Sequence, residues 1–360
     1  MTSHGLAQFT PLARTLIVFA ALAVSVFFLQ AAAAIITPML LAAFIAVIAT
    51  PPLRWMRRRR VPKWLALAIV VFVLLEAASI FTLVFTGQLE GFRDGLPSYQ
   101  ERLQVLNEQL GSWLENAGVA NARDALTDIF NPAVATGLVR VILANVSGIV
   151  VTGLLILLAV VFMLLEASGL QAKLRAAFQL SEDAEVRLQR LFSSINRYMV
   201  IKSLTSLATA LCIAAWLWLL GIDFVALWAS LAFLLNFVPF VGAILMAIPA
   251  ILLALVQTDI QTTLLVALGY LVVNTVIGSI LEPRIMGRDL GISTLAVFLS
   301  LLFWGWVLGT VGVFLAVPLT MAAMIALDAS PQTRPLAILL GPPLPRNPTT
   351  REDNGEQAEG

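Results

Sequence analysis

Hydrophobic positions run along this chain in long blocks, and the polar residues fall between the blocks rather than alternating within them. One membrane-crossing helix needs about 20 apolar residues, so each block reads as one or two membrane elements rather than as the core of a soluble domain. Residues 15–50 stay apolar apart from Gln30, a few hydroxyl residues and Pro38, which gives length for two spans joined by a tight turn between Gln30 and Pro38. A signal peptide cleaved near Ala31 to Ala34 is the competing reading, and the continued apolarity beyond that point speaks against it. Residues 64–87 form a third span with Glu76 near its middle, residues 141–165 a fourth, and residues 204–221 a fifth edged by Trp216 and Trp218.

The polar stretches set the topology. The segment PPLRWMRRRRVPK packs Arg54, Arg57, Arg58, Arg59, Arg60 and Lys63 between two apolar blocks, and short basic loops stay cytoplasmic. That cluster is either a topology anchor resting on anionic headgroups or a site for an anionic lipid or phosphate. Residues 88–140 form an acidic, external insertion after the first three spans at 15–87. Within it Ser98 and Glu101 follow Pro97 as a capping box, and Leu103, Leu106, Leu110 and Trp113 recur at helical spacing. This predicts an amphipathic helix that serves subunit contact, including a homo-oligomer, or lies on the membrane. Inside the unit 141–221, residues 167–203 are basic again and read as a cytoplasmic helix that starts at Ser181 and ends with Lys202. The tail 329–360 is rich in proline and polar residues and reads as a disordered cytoplasmic segment.

Two later blocks, within the core 222–328, are interrupted at their centres. Residues 224–257 carry Asn236, Pro239 and Gly242 in LNFVPFVGA, and residues 292–327 carry Gly309 and Gly312 in WGWVLGTVGVF. Proline removes a backbone donor and glycine loosens a helix, and freed backbone groups at membrane depth are tolerated only where protein buries them or a wet cavity is lined. Each block is two half-spans around a break or a kinked full span. Charge bears on the choice, because Arg284 and Arg288 follow the intervening span 262–281 and prefer the cytoplasm. A re-entrant hairpin at 224–257 puts them there, and it makes the two hairpins enter from opposite faces as in inverted-repeat transporters. A faint internal likeness agrees: Gly242 leads to Ala247, Ile248 and Pro249, and Gly312 to Ala316, Val317 and Pro318.

Composition confirms the class and narrows the chemistry. Hydrophobic residues make up 60% and charged residues 12%, against roughly 45–50% and 25% for a soluble domain, so residues 1–360 form one membrane domain. The expected fold is an all-α polytopic membrane protein with about eight membrane elements, two of them broken or re-entrant helical hairpins, and an external amphipathic insertion. Cys212 is the one cysteine and His4 the one histidine, which excludes an intrachain disulfide, a His/Cys metal site and a histidine-based triad. No phosphate-binding G-x-x-x-x-G-K-[ST] loop occurs, and no basic run is interleaved with aromatics in the way a nucleic-acid groove requires. The chain therefore reads as no enzyme, with no cofactor and no metal.

Polar groups at depth are the remaining candidates, since intramembrane ionisable residues are costly and face a partner or a water path. Glu76 carries a proton or ion, or else is neutral and hydrogen-bonded between helices. Asn236 and Asn274 offer amides to a solute or to neighbouring helices. Glu282 adjoins the presumed gate, with simple pairing to Arg284 or Arg288 as its plainer role.

Three stretches, NFVPFVGAILMAIPAILLAL, NTVIGSILEPRIMGRDLGIS and FWGWVLGTVGVFLAVPL, resemble in order and spacing the autoinducer-2 exporter family, also called the PerM-like permeases. The resemblance covers roughly residues 187–326. It implies a multispan bacterial inner-membrane transporter, whose partners are the lipid bilayer and a small-molecule or ion substrate; the charge pattern puts both termini in the cytoplasm. Carried over residue by residue, the family pattern falls on Asn236, Pro239, Gly242 and Pro249, on Asn274, Glu282, Pro283 and Gly287, and on Gly309, Gly312 and Pro318. Pro249, Pro283, Gly287 and Pro318 are expected to act as hinges, and Asn236, Pro239, Gly242, Asn274, Glu282, Gly309 and Gly312, with Glu76, to line the pathway. The expected activity is export of a small polar solute such as autoinducer-2. Sodium or lithium exchange for protons is the alternative, and a non-transporting scaffold the alternative of another class.

Overall fold

The computed structural model describes residues 10–116, 146–166, 173, 177, 182–286, 292–328 and 332–342. Among them the regular structure is entirely helical: α1 (Pro11–Ala31), α2 (Ala33–Arg58), α3 (Lys63–Asn116), α4 (Val146–Glu166), α5 (Glu182–Leu219), α6 (Val225–Leu235), α7 (Val241–Gln257), α8 (Ile260–Val273), a π-helical segment (Asn274–Leu281), α9 (Glu282–Met286), α10 (Thr294–Asp328) and α11 (Arg334–Leu340). Five helical stretches are long and apolar enough to cross a membrane, and shorter apolar helices accompany them. Large apolar side chains such as Phe72, Leu83, Leu154 and Trp218 face outward, as they do when lipid is the solvent. The chain is an all-α, multi-pass membrane protein.

Three helices run differently from their sequence expectations. No tight turn lies between Gln30 and Pro38: Ala32 alone separates α1 from α2, at φ −86° and ψ 0°, and the ladder continues through it from Ala32 N–H to the Phe28 carbonyl and from Ile36 N–H to the Ala32 carbonyl. One near-helical residue kinks an axis; a reversal needs a loop of about 2–5 residues. The insertion likewise does not begin a new helix at Ser98. Helix α3 runs unbroken for 54 residues through Pro97, about 81 Å, and Ser98 Oγ donates back to the Gly95 carbonyl instead of capping. Finally, α5 joins the expected cytoplasmic helix to the fifth span in one 38-residue helix, which puts Lys202 well inside the apolar stretch Phe192–Leu219. The expected helix start at Ser181 lies outside the described residues, as do 329–331 and 343–360 of the tail expected to be disordered; between them that expectation fails, because α11 is an ordered helix with Ala337 buried and the Ser293 N–H donating to the Leu340 carbonyl at 2.9 Å.

The two interrupted blocks fold back on themselves. At the first, residues 236–240 turn the chain between α6 and α7, with Phe240 at φ 64°. Its two ends meet, because Gln257 accepts from the Asp223 N–H at 2.9 Å and donates to the Gly221 carbonyl at 3.0 Å. Asp259 then caps α8, and the Thr262 N–H, 2.7 Å away, holds its carboxyl below the usual carboxylate range. In the second block, α10 breaks at Gly309, φ 68°, a conformation only glycine adopts without strain. Leu301 packs with Ala316 across the break, and Trp304 Nε1 donates to Thr320 Oγ1 at 3.0 Å.

The hairpins point in opposite directions. The mouth of the first lies just beyond the C-terminal end of α5, and its tip reaches back to Ser206. The second half of α10 meets that tip where Val238 packs against Ala316, and then runs toward the N-terminal part of α5, where Leu315, Val317 and Met321 join Tyr198, Met199 and Ile201. Each tip therefore faces the other hairpin's mouth. The same small-residue device closes both turns: a Cβ on Gly242 would lie 1.9 Å from the Leu235 carbonyl oxygen, and one on Gly312 1.9 Å from the Trp304 carbonyl oxygen.

Backbone cannot yield as a flexible side chain does, so Gly242→Ala and Gly312→Ala should each destabilise the protein by about 1–3 kcal/mol. Gly153→Ala, where a Cβ meets nothing within 4 Å, should be neutral or slightly stabilising. Thermal unfolding of the detergent-solubilised variants checks both.

Candidate functional site

On α5 the run KSLTSLAT places Lys202, Thr205, Ser206 and Thr209 at the i, i+3, i+4, i+7 spacing that shares one helix face. All four are buried, an arrangement that an apolar interior permits only if their polar atoms find partners. Lys202 finds Glu282: its Nζ donates to Oε1 at 2.7 Å and to Oε2 at 2.9 Å, with the two side chains 7% and 13% exposed. The Thr205 hydroxyl adds a third hydrogen bond, 3.2 Å from Glu282 Oε2. This overturns the expectation that Glu282 pairs with Arg284, which is exposed, or with Arg288, which lies outside the described residues.

Local backbone aims the carboxylate. Residues 274–281 are wound as a π-helix, whose wider turn shifts the following residues around the axis; such turns recur at functional sites. Asn274 opens the segment, its carboxamide lying over Gly278, where a Cβ would sit 3.1 Å from Asn274 Oδ1. Pro283 follows Glu282 and has no N–H to continue the ladder. Arg197 Nη2 donates to the Ile285 carbonyl at 3.2 Å and ties α9 to α5.

One turn along α5, about 6 Å from Lys202, Ser206 Oγ accepts from Asn236 Nδ2 at 2.9 Å. Asn236 belongs to the tip of the first hairpin, so ion pair, hydroxyls and amide form one polar island where three elements meet. The second hairpin walls it from the side through Leu315, Val317 and Met321, packed with Tyr198 and Met286. On α8, one turn before Asn274, the Tyr270 hydroxyl is buried without a hydrogen-bond partner among the described residues. The island offers charged and neutral donors and acceptors at once, which suits a small polar solute or a cation exchanged at a carboxylate.

The other sequence candidates divide. Pro239 lies in the turn at the first tip, Gly242 and Gly312 in the close contacts beside the two turns, and Gly309 at the break in α10. Pro249 and Pro318 lie inside α7 and α10, Pro318 buried. Gly287 lies outside the described residues. Glu76 is not part of the island; it is exposed on α3 amid outward-facing Phe72, Val73 and Ile80. Sequence reasoning missed Lys202, Thr205 and Ser206, because the basic residues before 203 were read together as a cytoplasmic group. The helical spacing of the polar residues in KSLTSLAT was the signal that could have found them.

Removing one member of a buried ion pair strands the other's charge, so Lys202→Met or Glu282→Leu alone should cost about 3–5 kcal/mol of stability. The double variant should lose clearly less than the sum of the two, as a double-mutant cycle of unfolding free energies would show.

Comparison with known proteins places most of the chain. The family model described as AI-2E family transporter matches residues 16–332. A protein of Escherichia coli strain K12 named AI-2 transport protein TqsA is 40% identical over 309 residues, covering 86% of this chain and 90% of that protein. A Haemophilus influenzae relative, named for transport without a stated solute, is 38% identical over 335 residues, 91% of this chain and 96% of its own. More distant is a Halobacillus andaensis protein named sodium-lithium/proton antiporter, 24% identical over 322 residues, 81% of this chain and 89% of that protein. With two relatives near 40% identity and a model that spans the hairpins and the island alike, the chain belongs to the AI-2E family of transporters.

Proposed function

We propose that this protein is a secondary transporter of the bacterial inner membrane that exports a small polar solute of the autoinducer-2 kind, binding it at the Lys202–Glu282 island. The observation that carries the reading is the meeting of two oppositely directed hairpins at one buried ion pair. Inverted hairpins flanking a midplane polar site are the parts from which alternating access is built. Helix α6, 11 residues and about 16 Å long, is half of what the roughly 30 Å hydrocarbon core demands, which supports a re-entrant first hairpin over a crossing one. With the basic α2–α3 turn cytoplasmic, the first hairpin opens outward, the second inward, and the C-terminus lies inside; the expected cytoplasmic N-terminus would need a reversal before α2, which the kink at Ala32 does not supply.

In this mechanism the solute's polar groups replace the partners that Lys202, Glu282, Ser206 and Asn236 now give one another. When the first hairpin tip withdraws, the Asn236–Ser206 bond breaks and the island opens outward; when the second shifts, it opens inward. A buried ion pair cannot be left half-satisfied, so opening is favoured only when solute or ion takes up the exchange. A second reading has a specific support: the same carboxylate suits cation/proton exchange, the activity for which the Halobacillus relative is named.

In proteoliposomes, Glu282→Gln and Asn236→Ala should reduce autoinducer-2 flux at least about tenfold, the effect of roughly 1.4 kcal/mol at the site. Glu76→Gln should leave it within about twofold. If pH-linked sodium flux is instead what Glu282→Gln abolishes, the antiporter reading replaces the exporter. In a Cys212→Ser background, a cysteine at Asp259 should label from outside and one at Arg288 from inside.

A further inference from the structure

An open groove of about 510 Å³ runs between α3 and α4, shares no residue with the island and is within the size range of ligand sites. Trp64, Leu67 and Val71 form one wall and Val161 and Leu165 the other, and apart from one group the lining is apolar. That group is the Lys63 ammonium at one end, 3.4 Å from the Leu165 carbonyl. Two residues, Val61 and Pro62, separate it from the exposed Arg57, Arg58, Arg59 and Arg60, gathered by the end of α2 and a turn in which Arg60 takes φ 64°. Arg59 stacks on Trp55, its guanidinium 5.5 Å from the ring centre. The nearest acid on α4, Glu166, is hydrogen-bonded to Lys173, so the groove's end stays strongly positive.

We infer that this groove is a built site for an anionic phospholipid: one acyl chain lies between α3 and α4, and the phosphodiester headgroup rests on Lys63 and the arginines of the α2–α3 turn. Charge complementarity selects this occupant, since an apolar slot alone takes any lipid tail, whereas a slot ending in a cluster of cations favours an anionic one. The site joins α2, α3 and α4 on the face opposite in character to the polar island. The inference does not depend on which solute is transported.

Trp64 is 71% exposed beside the groove and serves as the probe. The full chain is reconstituted in phosphatidylcholine vesicles containing a small, equal fraction of brominated-acyl phosphatidylglycerol or brominated-acyl phosphatidylcholine. The Trp64 contribution is the difference between wild type and Trp64→Phe. Phosphatidylglycerol should quench it several-fold more efficiently, on the order of fivefold for each basic contact made. Lys63→Gln with Arg60→Gln should lower that preference, and Val161→Trp, which fills the slot and leaves every arginine in place, should abolish it. Equal quenching by the two lipids in the wild type overturns the proposal without recourse to any variant. A preference that survives Val161→Trp also overturns it, by showing only surface attraction, and relief of quenching by millimolar inorganic phosphate does so by assigning the site to free phosphate.

Discussion

Lys202 and Glu282 hold each other's charge with side chains only 7% and 13% exposed, and the surrounding elements are arranged to keep them there. A lysine inside an apolar span is tolerable only with a carboxylate against it, and the carboxylate arrives from another helix, aimed by a π-turn and followed by a proline. Helix α5 is therefore pinned to α9, and the turn of α5 that presents Ser206 is pinned with it. Because Asn236 bonds to that serine, the first hairpin tip depends on the same joint. The second hairpin closes over the joint with side chains that have no polar alternative.

The hairpins show how the same local solution can recur in different sequence. Gly242 and Gly312 occupy equivalent places, each lying where a side-chain carbon would run into a carbonyl of the preceding half. The turns differ: the first uses residues 236–240 with Pro239, the second a single glycine at positive φ. That difference explains why the internal likeness in the sequence is faint while the folded geometry is alike. Pro249 and Pro318 lie six or seven residues beyond those glycines in the second half of each hairpin.

Much of this was legible from the chain. The apolar blocks located the membrane elements, and Asn236, Pro239, Gly309 and Gly312 marked both reversals, because proline and glycine at membrane depth have few other uses. Glu282 was singled out as an acid beside the gate, but its partner was not, since a lysine 80 residues earlier is joined to it only by tertiary packing. Helix ends were the least readable. Pro97 and Ser98 have the local chemistry of a helix start, yet α3 continues past them because Leu89, Phe92 and Tyr99 find a surface on the first hairpin. Nothing local in the alanines near Ala32 distinguishes a kink from a turn.

The central claim is that the island opens only when the two hairpins move apart. It is tested most directly by joining them. In a Cys212→Ser protein carrying Val238→Cys and Ala316→Cys, residues packed in one cluster across the hairpins, oxidation should stop solute flux in proteoliposomes and reduction should restore it. Flux that continues at the reduced rate's full value through a quantitatively cross-linked protein would contradict the account.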